Sequence, residues 1–242
     1  MPVELPTDPA DVAALWTELL DLADDAPVPW ILIGAQMVAL HAWHADHQPP
    51  RPSRDGDVLV NVRRRPTGTR QLAEHLERQG FELEGPNRMG LGHQFVREGV
   101  SIDILAPDNL GQRARLETLR NGRTVSVPGG TQALARAETI QVRLGTRTGA
   151  IPVPSLLGAI VLKFEAIAVD DVPDAQRADA ALLLSLVHER ETLAAQLSQA
   201  ERRTLMRYPE FAYSDSLLYR EIPSAREAAI TYRRLTDESR ST

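Results

Sequence analysis

The chain contains no cysteine. That excludes a disulfide scaffold, thiolate zinc sites and a thiol nucleophile, and it accords with a reducing compartment. It also lacks any uninterrupted apolar run of the ~20 residues that cross a bilayer. The opening stretch "MPVELPTDPADV" is acidic and proline-rich, without the basic-then-apolar order of a secretory signal. The expectation is a cytoplasmic protein with no membrane partner. Cations are outnumbered, 27 Lys and Arg against 33 Asp and Glu, for a formal net charge of -6. This argues against a general nucleic-acid coat and leaves only a local basic patch open. No repeat, low-complexity tract, GxxxxGK[ST] phosphate loop, GxSxG elbow or set of paired zinc ligands is found. What is present is 242 residues, 43% of them hydrophobic, enough for an ordinary core in one large domain or two small ones.

The hydrophobic pattern predicts a mixed architecture. Asp8, Pro9 and Asp11 read as a helix start, and Val12, Leu15, Trp16, Leu19 and Leu22 follow at helical spacing. Trp30 to Ile33 is a short apolar run that ends at Gly34 ahead of "AQMVALHAWHA", which reads as buried strand, tight turn and helix. A further strand is expected over Asp57 to Val62. "QLAEHLERQG" reads as a helix closed by Gly80, and "HQFVREGVSIDIL" as a hairpin turning at Glu98 and Gly99. The segments "RTVSV" and "ETIQVRL" are short strand candidates around a small helical segment, and the region ends in "IPVPS". From Ser155 the pattern is almost wholly helical, with two polar helices after "DAQRADAALLLSLVHER". The expected fold class is α/β (α+β): a mixed β-sheet core flanked by helices over residues 1–152, and a C-terminal helical subdomain over 153–242.

The chemistry concentrates in "RPSRDGDVLV", residues 51 to 60. Side chains spaced by two share one face of a strand, so Asp55 and Asp57 stand side by side. Two such carboxylates repel unless a cation sits between them or one is protonated. In "VSIDIL", Asp103 alternates with Ile102 and Ile104 and so projects from the face opposite them. If the two strands are neighbours, three carboxylates converge on a patch suited to Mg²⁺ or Mn²⁺. At the turn after Trp30 to Ile33, Gly34 allows close approach of a phosphate to a helix N-terminus.

These elements resemble nucleotidyltransferases of the polymerase-β-like fold and, within them, the AbiEii-type toxin branch. The resemblance runs from about residue 30 to 185. It rests on "IGAQMVALH", on "RPSRDGD" as an Arg-x-Ser/Thr-x-Asp-x-Asp motif, on "VSIDIL" as the third acid, on "PSLLGAIVLKFEAIA" with Lys163, and on "RADAALL" with Asp179. It implies a transferase that moves a nucleoside monophosphate from a nucleoside triphosphate to a hydroxyl of an RNA end, a protein or a small molecule. Asp55, Asp57 and Asp103 would hold the metal ions, and Asp103 would accept the acceptor's proton. Gly34, Ala35 and Gln36 would cradle the phosphates, Lys163 would neutralise the triphosphate, Asp179 would orient Lys163 or the base, and Arg51 and Ser53 would brace the metal loop. An antitoxin would be the partner. Ala35 and Gln36 depart from the family's usual second glycine and hydroxyl residue, and Gly56 replaces an aliphatic one.

Plainer readings stand beside each of these. The acid pair could be a solvated loop after two prolines, Lys163 could snorkel to the surface, and the arginines Arg63, Arg64 and Arg65 could be a solvated strand end rather than a grip on phosphates. His41, His44 and His47 fan around a helix instead of stacking, and His41 reads as a packed histidine bonded near the acid loop. At the level of function, the rivals are a non-catalytic nucleotide- or partner-binding module of the same fold and a metal-dependent phosphohydrolase.

Overall fold

A computed structural model describes residues 1–49, 54–85, 90–111, 114–220, 222 and 224–237. The elements in chain order are β1 (Val3–Glu4), α1 (Ala10–Asp25), β2 (Trp30–Ile33), α2 (Gly34–His44), β3 (Asp55–Val60), α3 (Gly68–Arg78), β4 (Glu82–Leu83), β5 (Gln94–Arg97), β6 (Val100–Pro107) and β7 (Ser126–Val127). They continue with α4 (Gly130–Ala135), β8 (Ala137–Leu144), β9 (Arg147–Pro154), α5 (Leu156–Ile167), α6 (Pro173–Ser185), α7 (Arg190–Gln196), α8 (Gln199–Met206) and α9 (Ala225–Thr236).

The main sheet has the order β2-β3-β6-β5-β4, with β7 extending the far half of β6. Within it β3 and β6 run parallel, while the β2–β3, β5–β6 and β4–β5 pairs are antiparallel. The β5–β6 hairpin turns at Glu98 and Gly99, both at positive φ, and pairs Arg97 with Val100. A second sheet, β1-β8-β9, is built on the β8–β9 hairpin. Its strand β9 lay hidden in the sequence behind Pro152 and Pro154. As an edge strand it tolerates them, because proline's missing N–H need not serve a ladder there.

The central strands are apolar because they are covered on both faces: all of β2 is buried, as are Val58, Leu59 and Val60 of β3. One contiguous apolar cluster extends from Val3 to Leu235, joining the sheets to the helical region. Three local expectations differ. Helix α1 begins at Ala10, with Pro9 in extended backbone as its N-cap, so Asp8 does not cap it; instead Asp11 Oδ1 accepts from the Val12 N–H at 3.0 Å. The stretch after α6 folds into α7, α8 and α9 rather than two helices, because Ser198 and Glu201 form a reciprocal cap that starts α8 afresh. His41 is packed, but its Nε2 lies 3.0 Å from the Pro154 carbonyl of β9 rather than near the acid loop, and burial lowers its pKa to about 4. Among the described residues, no helix is long and apolar enough to cross a membrane.

Candidate active site

Strand β3 carries the acid pair at its start. Asp55 is exposed, Asp57 is half-buried, and the intervening Gly56 is buried against the opposite layer. A Cβ on Gly56 would sit 3.2 Å from Leu15 and 3.3 Å from Leu19, so the glycine that departs from the resembled motif makes room for α1. In the parallel β3–β6 ladder, Asp57 faces Asp103 and Asp55 faces Ser101. The register therefore brings all three acids together where the start of β3 lies beside the first half of β6.

Their electrostatics record that proximity. The pKa of Asp103 is raised from 3.8 to about 7, first by burial, then by the charges of Asp57 and Asp55, with Glu84 adding to them. Asp103 Oδ1 is buried and has no hydrogen-bond partner. Among the described residues, no three His, Asp or Glu side chains are gathered tightly enough to hold a metal ion as they stand. A donor set made of carboxylates, with one orphaned oxygen, fits a hard divalent cation.

Gly34 closes the other side. It follows Ile33, the β2 partner of Asp57, and has φ +69. A Cβ there would lie 1.7 Å from Asp57 Oδ2, so only glycine lets helix α2 begin against the acid. Gly34 and Ala35 are half-buried, and Gln36 is buried, 3% exposed. Arg51 and Ser53 lie outside the described residues.

Lys163 and Asp179 are brought together, but as an enclosed pair. The Lys163 ammonium is 2.9 Å from Asp179 Oδ2, with the two side chains 4% and 1% exposed. It also donates to Gln176 Oε1 at 2.9 Å, and Gln176 Nε2 donates to Asp170 at 2.5 Å. Lys163 is the chain's one lysine, and it does not snorkel.

Sequence reasoning missed His93 and Glu84. His93 Nε2 is 3.9 Å from Asp103 Oδ2, too long for a hydrogen bond, and burial lowers the histidine's pKa. Counting outward from the Glu98–Gly99 turn would have placed it: Gln94 pairs with Asp103, and the next N–H to carbonyl bond joins Ile104 to His93.

No family model and no curated protein matches the chain. Among solved structures, it is similar to the crystal structure of an antigenic nucleotidyltransferase-like protein from Paracoccidioides brasiliensis, with a TM-score of 0.56, 14% identity and 94% of each chain covered. The molecule thus has a nucleotidyltransferase-like fold.

Proposed function

We propose that this protein is a Mg²⁺- or Mn²⁺-dependent nucleotidyltransferase that moves a nucleoside monophosphate from a nucleoside triphosphate to a hydroxyl acceptor and releases pyrophosphate. The observation that carries the reading is the Asp57–Asp103 register, with Asp103 raised to about 7 beside Asp55 and Asp57. Asp55, Asp57 and Asp103 would hold the metal, which when bound supplies neutralisation of the triphosphate and activation of the hydroxyl. Asp103 would take the hydroxyl proton as the new oxygen–phosphorus bond forms at the α-phosphorus and the bond to pyrophosphate breaks. The N–H groups opening α2 at Gly34, Ala35 and Gln36 would receive phosphate oxygens, the buried Gln36 through its backbone alone. Arg51 and Ser53, outside the described residues, would brace the metal site. The reading as a toxin restrained by an antitoxin rests on the AbiEii-type resemblance.

A second reading, a nucleotide- or partner-binding module without turnover, draws on Lys163. Its ammonium is enclosed by Asp179 and Gln176, so in this arrangement it serves the α5–α6 framework and not a triphosphate.

The two readings separate in one screen. The full chain is incubated with each α-labelled triphosphate, Mg²⁺ or Mn²⁺, and cell extract, and label transfer and pyrophosphate are measured. The enzyme reading expects transfer from at least one triphosphate, lost in Asp55→Asn and Asp57→Asn. Binding without turnover, unchanged in those variants, would replace it with the module.

A further inference from the structure

One histidine stands beside the acids, and among the described residues neither of its ring nitrogens makes a hydrogen bond. Elsewhere His41 Nε2 lies 3.0 Å from the Pro154 carbonyl and His47 Nδ1 lies 2.6 Å from the Ala45 carbonyl, so each of these rings has a partner. His93 differs. Its Nδ1 is buried without a partner, and its Nε2 stands 3.9 Å from Asp103 Oδ2. Asp103 shows the matching deficit, since its buried Oδ1 also lacks a partner. Unsatisfied polar atoms on two neighbouring side chains mark a place where an ion or a water completes the bonding.

The backbone holds His93 in that position from both sides. Gln94 pairs with Asp103 across the β5–β6 ladder, and the Ile104 N–H donates to the His93 carbonyl at 2.8 Å. Ahead of it, the Gly92 N–H donates to the Arg123 carbonyl at 3.0 Å, and the Arg123 N–H donates to the Gly90 carbonyl at 2.9 Å. The main chain is thus fixed beside Asp103, while no hydrogen bond restrains the ring from turning toward an ion.

The gap between the two side chains has a size with chemical meaning. At 3.9 Å it is too wide for a hydrogen bond. Two donor atoms that share one ion, each about 2.1 Å from it, stand roughly 3 Å apart at a right angle and roughly 4 Å apart on opposite sides. The separation of His93 and Asp103 falls inside that span. Asp57 faces Asp103 from β3, and His93 approaches it from the β5 side of β6, so Asp103 lies between an oxygen donor and a nitrogen donor.

We propose that the His93 imidazole is a ligand of the cation bound by Asp103, and that it biases the site toward a first-row transition-metal ion over Mg²⁺. Oxygen donors alone suit Mg²⁺, whereas an imidazole nitrogen adds affinity for transition ions. Mn²⁺ is the probe of that class. The inference rests on the reading of Asp55, Asp57 and Asp103 as a cation site, and it can be measured without turnover.

The test is pulsed electron paramagnetic resonance on the full chain loaded with substoichiometric Mn²⁺, which detects a nitrogen bound directly to the ion, together with calorimetric titrations of Mn²⁺ and Mg²⁺. The expected result is a nitrogen modulation in wild type that changes on ¹⁵N-histidine labelling and disappears in His93→Gln. It should persist in the control His188→Gln, an exposed histidine between α6 and α7. In His93→Gln the Mn²⁺ affinity should fall about tenfold and the Mg²⁺ affinity by less than about threefold. Saturable Mn²⁺ binding without a histidine-nitrogen modulation, or a modulation that survives His93→Gln, would overturn the inference and leave the carboxylate site standing. Equal losses for the two ions would also overturn it, reducing His93 to a prop for Asp103. Wild type without saturable Mn²⁺ binding would remove the inference and the cation site together. The isotope arm needs no variant, so it decides the matter even if melting curves show that His93→Gln does not fold.

Discussion

Two charged loci lie within this fold, and they are opposites. On β3 and β6, carboxylates repel one another strongly enough to help hold Asp103 half-protonated near neutral pH. Between α5 and α6, Lys163 and Asp179 neutralise each other in an interior that excludes water. The first arrangement stores unfavourable electrostatics that a cation would relieve; the second leaves nothing for a ligand to relieve. Like charges held at a partly open strand end therefore make the candidate site, while the buried pair ties α5 to α6.

Breaking the buried pair is expected to have the largest effect. Asp179→Ala strands an ammonium in the core and should lower unfolding free energy by about 3–5 kcal/mol in urea titrations, whereas Lys163→Met/Asp179→Leu should recover most of that loss. If the double variant were as unstable as the single, the pair would be more than framework.

The acid cluster should show its strain as a pH slope. Asp103 binds its proton more tightly folded than unfolded, so its contribution favours the folded state below about pH 4 and is lost as pH rises to about 7. With its side chain 20% exposed, an effect on the order of 2 kcal/mol is expected after allowance for screening. The stability difference between wild type and Asp103→Asn, measured from pH 4 to 8, should change across that window and level off above it.

Gly34→Ala should cost about 1–2 kcal/mol from its left-handed backbone alone. Its methyl would also displace Asp57, so divalent-cation affinity should fall in the same variant. Gln176→Leu, which removes the acceptor for Lys163 while leaving Asp179, should cost about 1 kcal/mol by chemical denaturation and leave cation affinity untouched.

The strand acids were legible in the sequence because strand alternation has a period of two: Asp55, Asp57 and Asp103 declare their faces by their neighbours, and the Glu98–Gly99 turn fixes the hairpin register. The parallel β3–β6 pairing that joins them is a long-range contact that no local pattern announces. Edge strand β9 was hidden by prolines that usually signal loops, and its sheet-mate β1 was too short to show a period. The enclosure of Lys163 depends on two helices meeting, and its helical stripe allowed either a buried or a snorkelling ammonium.

The central claim is that Asp55, Asp57 and Asp103 form a cation site. It is tested most directly by titrating Mn²⁺ into the full chain at pH 7.5, with calorimetry and the thermal midpoint read together, for wild type, Asp57→Asn and Asp103→Asn. The account predicts saturable binding and a raised midpoint in wild type, both lost in the two variants. Wild type without a saturable site, or variants that bind Mn²⁺ as well as wild type, would contradict it.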